Sequence, residues 1–135
     1  MNVWVALAHE IHPHHKVVKD WSDTLDSDSI VCFCRFTQLG LLRLLTNQSA
    51  MQADVLTQLE AWDAFDALLD DPSNQMIDEP SGADVLFRRE TSSTERATKQ
   101  WADGYLAAFA LAGNLTLVTM DNALAAKVKG ALLLG

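Results

Sequence analysis

The stretch of sequence that decides the fold is WADGYLAAFALAGNLTLVTMD, residues 101–121. Apolar side chains recur at helical spacing over 105–110, and Gly113 follows as an expected C-terminal cap, so the first half of the stretch predicts a helix. The second half, LTLVT at 115–119, is short, apolar and rich in β-branched residues, which predicts a buried strand. A helix that leads directly into a buried strand is typical of α/β domains.

The sequence on either side of this stretch continues the alternation of strands and helices. Apolar patterns predict strands at 2–8, 29–33, 75–77 and 131–134, and helices at 14–25, 36–45, 55–69, 82–89 and 122–129. Because no hairpin signal joins two strands, we expect a central parallel sheet with helices on both faces, a three-layer α/β/α arrangement. Such sheets bind ligands at the carboxyl ends of their strands, and the polar stretch 91–99 is predicted to be a loop at that rim.

Length and composition predict one domain that spans residues 1–135. The 135 residues are 49% hydrophobic, which is enough to build a single buried core. No apolar run approaches the roughly 20 residues that cross a membrane, and no secretory signal opens the chain, so we expect a cytoplasmic protein. Cys32 and Cys34 are two residues apart in an apolar stretch, where a disulfide between them is geometrically poor, so both are expected to be reduced core residues.

The charge and the missing motifs narrow the class of function. A net charge of -8 argues against broad electrostatic attraction to nucleic acid. It leaves a nuclease open, because carboxylates at a metal site take up a divalent cation, which then reverses the local sign where a phosphate docks. The sequence has no P-loop, no dinucleotide-binding glycine motif and no serine-hydrolase elbow, so those classes are disfavoured.

Two acids stand at the places where a parallel sheet binds ligands. Asp121 lies just past the carboxyl end of the 115–119 strand, and Asp103 precedes the apolar face of the helix that feeds this strand. One helix and one strand separate the two acids, so their side chains can meet at one edge of the sheet. Mg²⁺ commonly takes one or two carboxylates, so the pair is a candidate metal site. The alternative interpretation is that each acid only caps a helix.

Three segments in order resemble the PIN-domain proteins, and in particular the VapC-like ribonuclease toxins of bacterial toxin-antitoxin pairs. WADGYLAAFALA followed by LTLVTMD is similar to the late signature of that family, in which one acid opens a helix and a second acid ends the next strand as T-x-D. NVWVALA with HPHH, and then FTQLGLLRLLTN, resembles the early part of these toxins. The segments are spread over nearly the whole chain.

The resemblance implies a metal-dependent endoribonuclease. In the family, four acidic or polar positions close over one or two Mg²⁺ or Mn²⁺ ions, and a metal-activated water attacks an RNA phosphodiester. Asp103 and Asp121 match two of these positions directly and are the expected metal ligands. Thr119, in the T-x-D turn, would direct its hydroxyl towards the same cluster. Gln38 stands where many members carry an acid, as a neutral ligand.

The first predicted strand departs from the family pattern. Members ordinarily carry an Asp two residues before the Asn that matches Asn2, a position that lies one residue before Met1. Because the loss of a hard oxygen ligand weakens a metal site, we expect the chain as written to be impaired or inactive. The simplest hypothesis is a misassigned start codon, which would leave the first strand truncated.

Basic residues are the candidate RNA contacts, because arginine is the favoured phosphate partner. Arg88, Arg89 and Arg96 lie in or beside the predicted 91–99 loop, and Arg43 lies in an apolar helix. The alternative is that these arginines are solvated surface charges or members of ion pairs. The resemblance further implies RNA as the substrate, a cognate antitoxin protein as a partner, and a homodimer.

Aromatic and histidine side chains have weaker functional interpretations. Trp4, Trp62, Trp101 and Phe109 could stack the bases of single-stranded RNA, although packing in the core or in a dimer is the favoured interpretation. The four histidines within 9–15 could bind a transition metal adventitiously, but the entry to the first predicted helix accounts for them better.

Two other classes of function remain as alternatives. A PIN-like scaffold that binds RNA or protein without cutting is favoured by the missing acid and by the neutral Gln38. A receiver-like or nucleotide-binding domain would need an acidic pocket built from the first and third strands, whereas Asp121 follows a different strand. RNA cleavage with Mg²⁺ or Mn²⁺ discriminates between a nuclease and a scaffold.

Overall fold

A computed structural model describes residues 2–135 of the chain. Its helices are α1 (Asn2–Ala8), α2 (His15–Thr24), α3 (Arg35–Leu45), α4 (Gln48–Met51), α5 (Gln58–Leu69), α6 (Ala83–Glu90), α7 (Gln100–Ala112) and α8 (Asn122–Lys127). Its strands are β1 (Val31–Phe33), β2 (Asn74–Met76), β3 (Val118–Thr119) and β4 (Leu132–Leu133). A short 3-10 helix, Gln52–Asp54, follows α4. The chain divides into two compact units, the first ending at Asp78 and the second comprising Glu79–Leu134.

The first unit is built around an aromatic core. Phe33 on β1 is fully buried. Its ring stacks on Trp4 at a centroid distance of 3.6 Å and meets the edge of Phe65 at 5.0 Å. Leu41 and Leu45 of α3 belong to the same buried cluster. Aromatic pairs of this kind contribute stability beyond the apolar area that they bury, so β1 is held mainly by side-chain packing.

The strands of the first unit pair in parallel, as the alternating pattern predicts. β1 lies beside β2 with Val31 opposite Asn74 and Phe33 opposite Met76. Helix α5 directly precedes β2 along the chain. It begins at Gln58, three residues later than the sequence pattern predicts. The reason is a capping box, in which Thr57 accepts from the amide of Glu60 and Glu60 accepts from the amide of Thr57.

The strand predicted at 2–8 is wrong, because the structure has helix α1 there. The segment is buried almost all round, with Val3, Trp4, Val5 and Ala6 shielded from solvent. A short apolar run of this kind does not distinguish a buried strand from a buried helix, since neither leaves a periodic pattern. As a helix, the segment satisfies its own backbone hydrogen bonds while packing against α2 and α3.

The second unit centres on the close packing of α6 against α7. Phe87 of α6 meets the edge of the Tyr105 ring at a centroid distance of 5.5 Å. A Cβ atom placed on Gly104 would overlap the Cγ2 methyl of Thr91, so only glycine permits this approach. Helix α7 has Gly113 as its C-terminal cap, as predicted. The residue with a left-handed backbone conformation is the next one, Asn114, with φ 52°.

The predicted alternation of helices and parallel strands is confirmed, whereas the sheet is smaller than expected. In the second unit β3 pairs in parallel with β4, with Val118 opposite Leu132. The described residues therefore form two separate two-stranded parallel sheets. The strand predicted over 115–119 is confined to Val118–Thr119 because only these two residues have a ladder partner. Within the described residues, no helix is both long and apolar enough to cross a membrane.

Candidate active site

Asp103 lies in the first turn of α7, where the helix dipole favours a negative charge. It does not cap the helix: the cap position is Lys99, which has no side-chain capping hydrogen bond. The Asp103 side chain is 26% exposed, and its Oδ2 atom lies 3.8 Å from the Nζ atom of Lys127. The capping interpretation of Asp103 is therefore wrong, and the carboxylate faces a cation instead.

Asp121 is held rigidly at the start of α8. Its Oδ1 atom accepts hydrogen bonds from the amides of Ala123 at 2.9 Å and Leu124 at 3.2 Å. Thr119, which is 8% exposed, accepts from the amide of Asp121 through its Oγ1 atom at 3.0 Å. The T-x-D turn thus fixes both the backbone and the side chain of Asp121. Capping accounts for one carboxylate oxygen, so the capping role of Asp121 is confirmed without excluding a second role.

Helix α8 connects the neighbourhoods of the two acids. It begins after Asp121 and ends at Lys127, whose Nζ donates to the side-chain oxygen of Gln100 and contacts Asp103. Both acids therefore lie in the second unit, and α8, about 9 Å long, runs from Asp121 to the lysine that contacts Asp103. Lys127 was not among the site residues predicted from the sequence. No local spacing signals it, because it lies 27 residues from Gln100.

A metal cluster is not formed by the described side chains alone. Across residues 2–135, no three His, Cys, Asp or Glu side chains are grouped closely enough to hold a metal ion. The chemistry of the donors nevertheless fits a hard cation, because Asp103, Asp121 and Thr119 offer only oxygen atoms and Mg²⁺ needs few carboxylates from the protein. The assignment of Asp103 and Asp121 as metal ligands stays a prediction.

Gln38 lies on α3 in the first unit and is 5% exposed. Its Oε1 atom accepts a hydrogen bond from the Nη1 atom of Arg35. The amide oxygen is therefore oriented by a neighbouring cation, which suits a neutral ligand or a purely structural hydrogen bond equally. Its predicted role in the site stays a prediction.

The four candidate arginines differ in their surroundings. Arg88 pairs with Asp84 at 3.1 Å and Arg89 with Glu90 at 3.5 Å, and both are exposed on α6. Arg43 is exposed in the last turn of α3 in the first unit. Arg96 lines a cavity of about 460 Å³ in the second unit. Its lining residues are Glu90, Thr91, Ser93, Glu95, Arg96, Ala97, Thr98, Gln100, Trp101 and Lys127.

The histidines form a structured turn between α1 and α2. The Nδ1 atom of His15 lies 2.7 Å from the carbonyl oxygen of Ala6, so this nitrogen carries the proton that is donated. The Nδ1 atom of His12 accepts from the amide of His14 at 3.1 Å. Burial lowers the pKa of His12, and the neighbouring histidines lower it further. These contacts support the prediction that the cluster shapes the entry to α2.

The cysteines behave as core side chains. Cys34 is buried, Cys32 is partly buried, and both are free. Burial raises the pKa of the Cys32 thiol, and the neighbouring Cys34 raises it further, so the unreactive thiol form is favoured. The structure therefore has no disulfide between the two cysteines, and of the two it places only Cys34 in the core, whereas the reduced state stays a prediction.

Comparison with known proteins agrees with this architecture. The PIN domain family matches residues 1–130 of the chain. Ribonuclease VapC41 of Mycobacterium tuberculosis is 44% identical over 126 residues, which cover 90% of this chain and 86% of that protein. VapC ribonuclease Mb2897 of Mycobacterium bovis and Ribonuclease VapC43 of Mycobacterium tuberculosis are each 31% identical over 86 residues, which cover 64% of this chain and 58% of each relative.

The chain belongs to the PIN-domain family. The match covers nearly all of the sequence and includes both predicted acids, Asp103 and Asp121. The resemblance that the three sequence segments indicated is therefore confirmed. In this family the three-layer α/β/α fold is the expected frame for the short parallel strands described above.

Proposed function

We propose that this chain is a ribonuclease toxin of the VapC type, which hydrolyses RNA phosphodiester bonds with the help of divalent metal. The observation that carries the proposal is its 44% identity, over 90% of the chain, to a protein named as a VapC ribonuclease. The positions of Asp103 in the first turn of α7 and of Asp121 just after β3 support it, because both acids lie in the second unit and α8 leads from Asp121 to Lys127, which contacts Asp103.

In this proposal Asp103 and Asp121 hold Mg²⁺ or Mn²⁺, with Thr119 and Gln38 as further oxygen donors to the site. A bound divalent ion would supply charge for the scissile phosphate and would lower the pKa of an attacking water. The donor set supports this assignment because it consists of oxygen atoms only, which hard cations prefer. The first-strand acid that the family ordinarily carries is not among these donors.

The protein's own residues prepare the site in three ways. The Thr119 hydroxyl holds the amide of Asp121, and the capping hydrogen bonds orient its carboxylate. Lys127 balances the charge of Asp103 in the metal-free protein, and a bound metal ion would displace it. Arg43, Arg88, Arg89 and Arg96 are proposed phosphate contacts, of which Arg96 has the best support because it lines a cavity beside Lys127.

Partners and assembly follow from the same family relationship. We propose a cognate antitoxin protein as the partner that neutralises the enzyme, and a homodimer as its functional form. We also propose that the two parallel strand pairs belong to one three-layer α/β/α domain spanning residues 1–135.

A non-cleaving PIN-like scaffold that binds RNA or protein is the second candidate. It is favoured by one observation, namely that no group of three potential metal-binding side chains occurs among residues 2–135. The neutral Gln38, already bonded to Arg35, points in the same direction. The two candidates differ in a single measurable property, which is metal-dependent cleavage.

RNA cleavage by the full chain tests the proposal. Because the chain as written lacks the first-strand acid, we expect only weak cleavage in Mn²⁺ or Mg²⁺, which EDTA stops. Asp103→Asn and Asp121→Asn should lower the cleavage rate further, by more than about 100-fold, because losing a metal ligand costs more than losing a group that only orients one. Asp23→Asn is the matched control, since Asp23 is an exposed acid that pairs with Lys19 on α2 and neither residue has a proposed role. Cleavage that survives EDTA, or that falls equally in the control, contradicts the proposal. RNA binding without cleavage supports the scaffold.

A further inference from the structure

The cavity of about 460 Å³ in the second unit lies where α6, the 91–99 loop and the start of α7 meet. Its volume falls within the range of roughly 300–1,000 Å³ that is typical of small-molecule pockets. One large aromatic side chain lines it, that of Trp101, which is 58% exposed. The indole is supported on one side by the edge-on ring of Phe87, at a centroid distance of 6.2 Å.

Trp101 differs from the other aromatic residues that could stack RNA bases. Trp4 and Phe109 are each only 6% exposed, so their rings are committed to the cores of their units. Trp62 is exposed, but it lies on α5 in the first unit, whereas the two acids lie in the second unit. Of these four side chains, Trp101 is the one that is exposed and lines the cavity described above.

The charge of the cavity suits a nucleotide in a protein that is otherwise acidic. Glu90 and Glu95 are balanced by Arg96 and Lys127, so the lining is neutral although the chain carries a net charge of -8. The two cations can contact phosphate, while the carboxylates can accept hydrogen bonds from the amino and imino groups of a base. The hydroxyl groups of the lining add donors and acceptors for the sugar.

We infer that this cavity seats one unpaired base of single-stranded RNA, stacked on the indole of Trp101, with its phosphate near Arg96 and Lys127. Because Lys127 also contacts Asp103, the seated base belongs to a nucleotide beside the bond that is cut. This inference rests on the proposed ribonuclease function, since it names how that same site selects its substrate. Recognition of unpaired bases by aromatic stacking is sequence-tolerant, so the hydrogen-bonding groups of Glu90 and Glu95 would supply any preference.

The test measures the binding of short, fluorescently labelled single-stranded RNA to the full chain in EDTA, so that cleavage does not interfere. We expect Trp101→Ala to weaken binding about five- to 100-fold, the effect of losing one stacking contact. Trp101→Phe should keep most of the affinity but lose the quenching of tryptophan emission that stacking on Trp101 produces. Trp62→Ala is the control, because Trp62 is an exposed tryptophan of the first unit.

Each outcome decides the inference. Weakening in Trp101→Ala together with retention in Trp101→Phe supports it. Equal affinity in the wild type and Trp101→Ala, equal weakening in Trp62→Ala, or no binding of RNA by the wild type overturns it. If the pocket instead binds a protein partner, the wild type and Trp101→Ala should bind RNA with equal affinity. If stacking on Trp101 is found but no RNA is cut in Mn²⁺, the proposed function fails separately.

Discussion

The Nζ atom of Lys127 lies 3.8 Å from the Oδ2 atom of Asp103, so the acid of α7 already faces a cation supplied by the end of α8. This ammonium group takes up part of the space that a metal ion bound to Asp103 would need. It also already supplies a positive charge next to the carboxylate. The same lysine donates to Gln100 and lines the cavity beside Trp101. It therefore connects the proposed metal ligand with the proposed base pocket.

Replacing Lys127 by Met should strengthen metal binding, because the ion would no longer compete with a resident positive charge. Two unit charges about 4 Å apart in water interact by about 1 kcal/mol, which corresponds to about fivefold tighter binding of Mn²⁺. The measurement is the loss of the free Mn²⁺ signal in electron paramagnetic resonance. Lys129→Met is the control, since it removes one exposed charge two residues further along. Unchanged or weaker Mn²⁺ affinity in Lys127→Met contradicts the prediction.

Substitutions of Asp121 should separate its capping role from its charge. Asn caps a helix as well as Asp does, so Asp121→Asn should keep the stability of the fold while losing the negative charge. Asp121→Ala removes the acceptor for the amides of Ala123 and Leu124 and should cost about 1 kcal/mol of unfolding free energy. Urea unfolding of both variants measures this difference. Equal destabilisation of the two variants would show that the charge, rather than the cap, stabilises α8.

Replacing Gly104 by Ala should destabilise the second unit although alanine is the better helix former. The gain in helix propensity is about 1 kcal/mol, whereas overpacking against the Thr91 methyl costs typically 1–3 kcal/mol. Thr91 cannot easily move, because its hydroxyl donates to the carbonyl of Phe87 at 2.6 Å. The melting temperature of Gly104→Ala should therefore fall below that of the wild type.

The double variant Thr91→Ser/Gly104→Ala provides the matched control for this prediction. Serine keeps the hydroxyl group but lacks the Cγ2 methyl that the new Cβ atom would overlap. The melting temperature should recover at least to that of Thr91→Ser. If it does not recover, the close approach of α6 and α7 is not limited by this methyl group.

The stability of the fold should fall as acid protonates His12. Its pKa is lowered by burial and by the neighbouring histidines, so the folded chain binds this proton more weakly than the unfolded chain does. The contribution of neutral His12 is thus present above its unfolded pKa and is lost as the pH falls through its lower, folded pKa. Protonation of Nδ1 would also remove the acceptor for the amide of His14.

Urea unfolding between about pH 7 and pH 5 measures this effect. His12→Asn should show a smaller decrease in unfolding free energy over this range, because its amide oxygen can still accept a hydrogen bond and does not titrate. The other three histidines are present in both proteins and provide the common background. Equal decreases in the two proteins would exclude His12 as the source.

The sequence predicts the second unit better than the first. The helix, the strand and the acid in WADGYLAAFALAGNLTLVTMD follow from spacing alone, and the structure has α7, β3 and Asp121 in that order. The strand predicted over residues 2–8 is wrong because this segment is buried almost all round. Its sequence therefore lacks the periodicity that distinguishes a helix from a strand. The predicted start of α5 is three residues too early, because the helix begins at the capping box of Thr57 rather than where the apolar pattern begins at Val55.

The candidate site divides in the same way. The acids could be predicted, because each occupies a fixed place relative to a helix or a strand. The role of Lys127 could not be predicted, because Lys127 lies 24 residues after Asp103 and their contact depends on how α8 packs. The exposure of Trp101 could not be predicted either, because its spacing of four and eight residues from Tyr105 and Phe109 places it on their apolar face, whereas its ring, in the first turn of α7, is 58% exposed.

The two amides that bind Oδ1 of Asp121 have a kinetic and an entropic consequence. They fix the rotation of this carboxylate before any ligand arrives, so that an incoming cation meets an acid with little torsional freedom left to lose. Ordering that is completed during folding does not have to be repeated in each catalytic cycle. Helix α8 thereby orients the carboxylate that we propose as a metal ligand, although the helix is only six residues long.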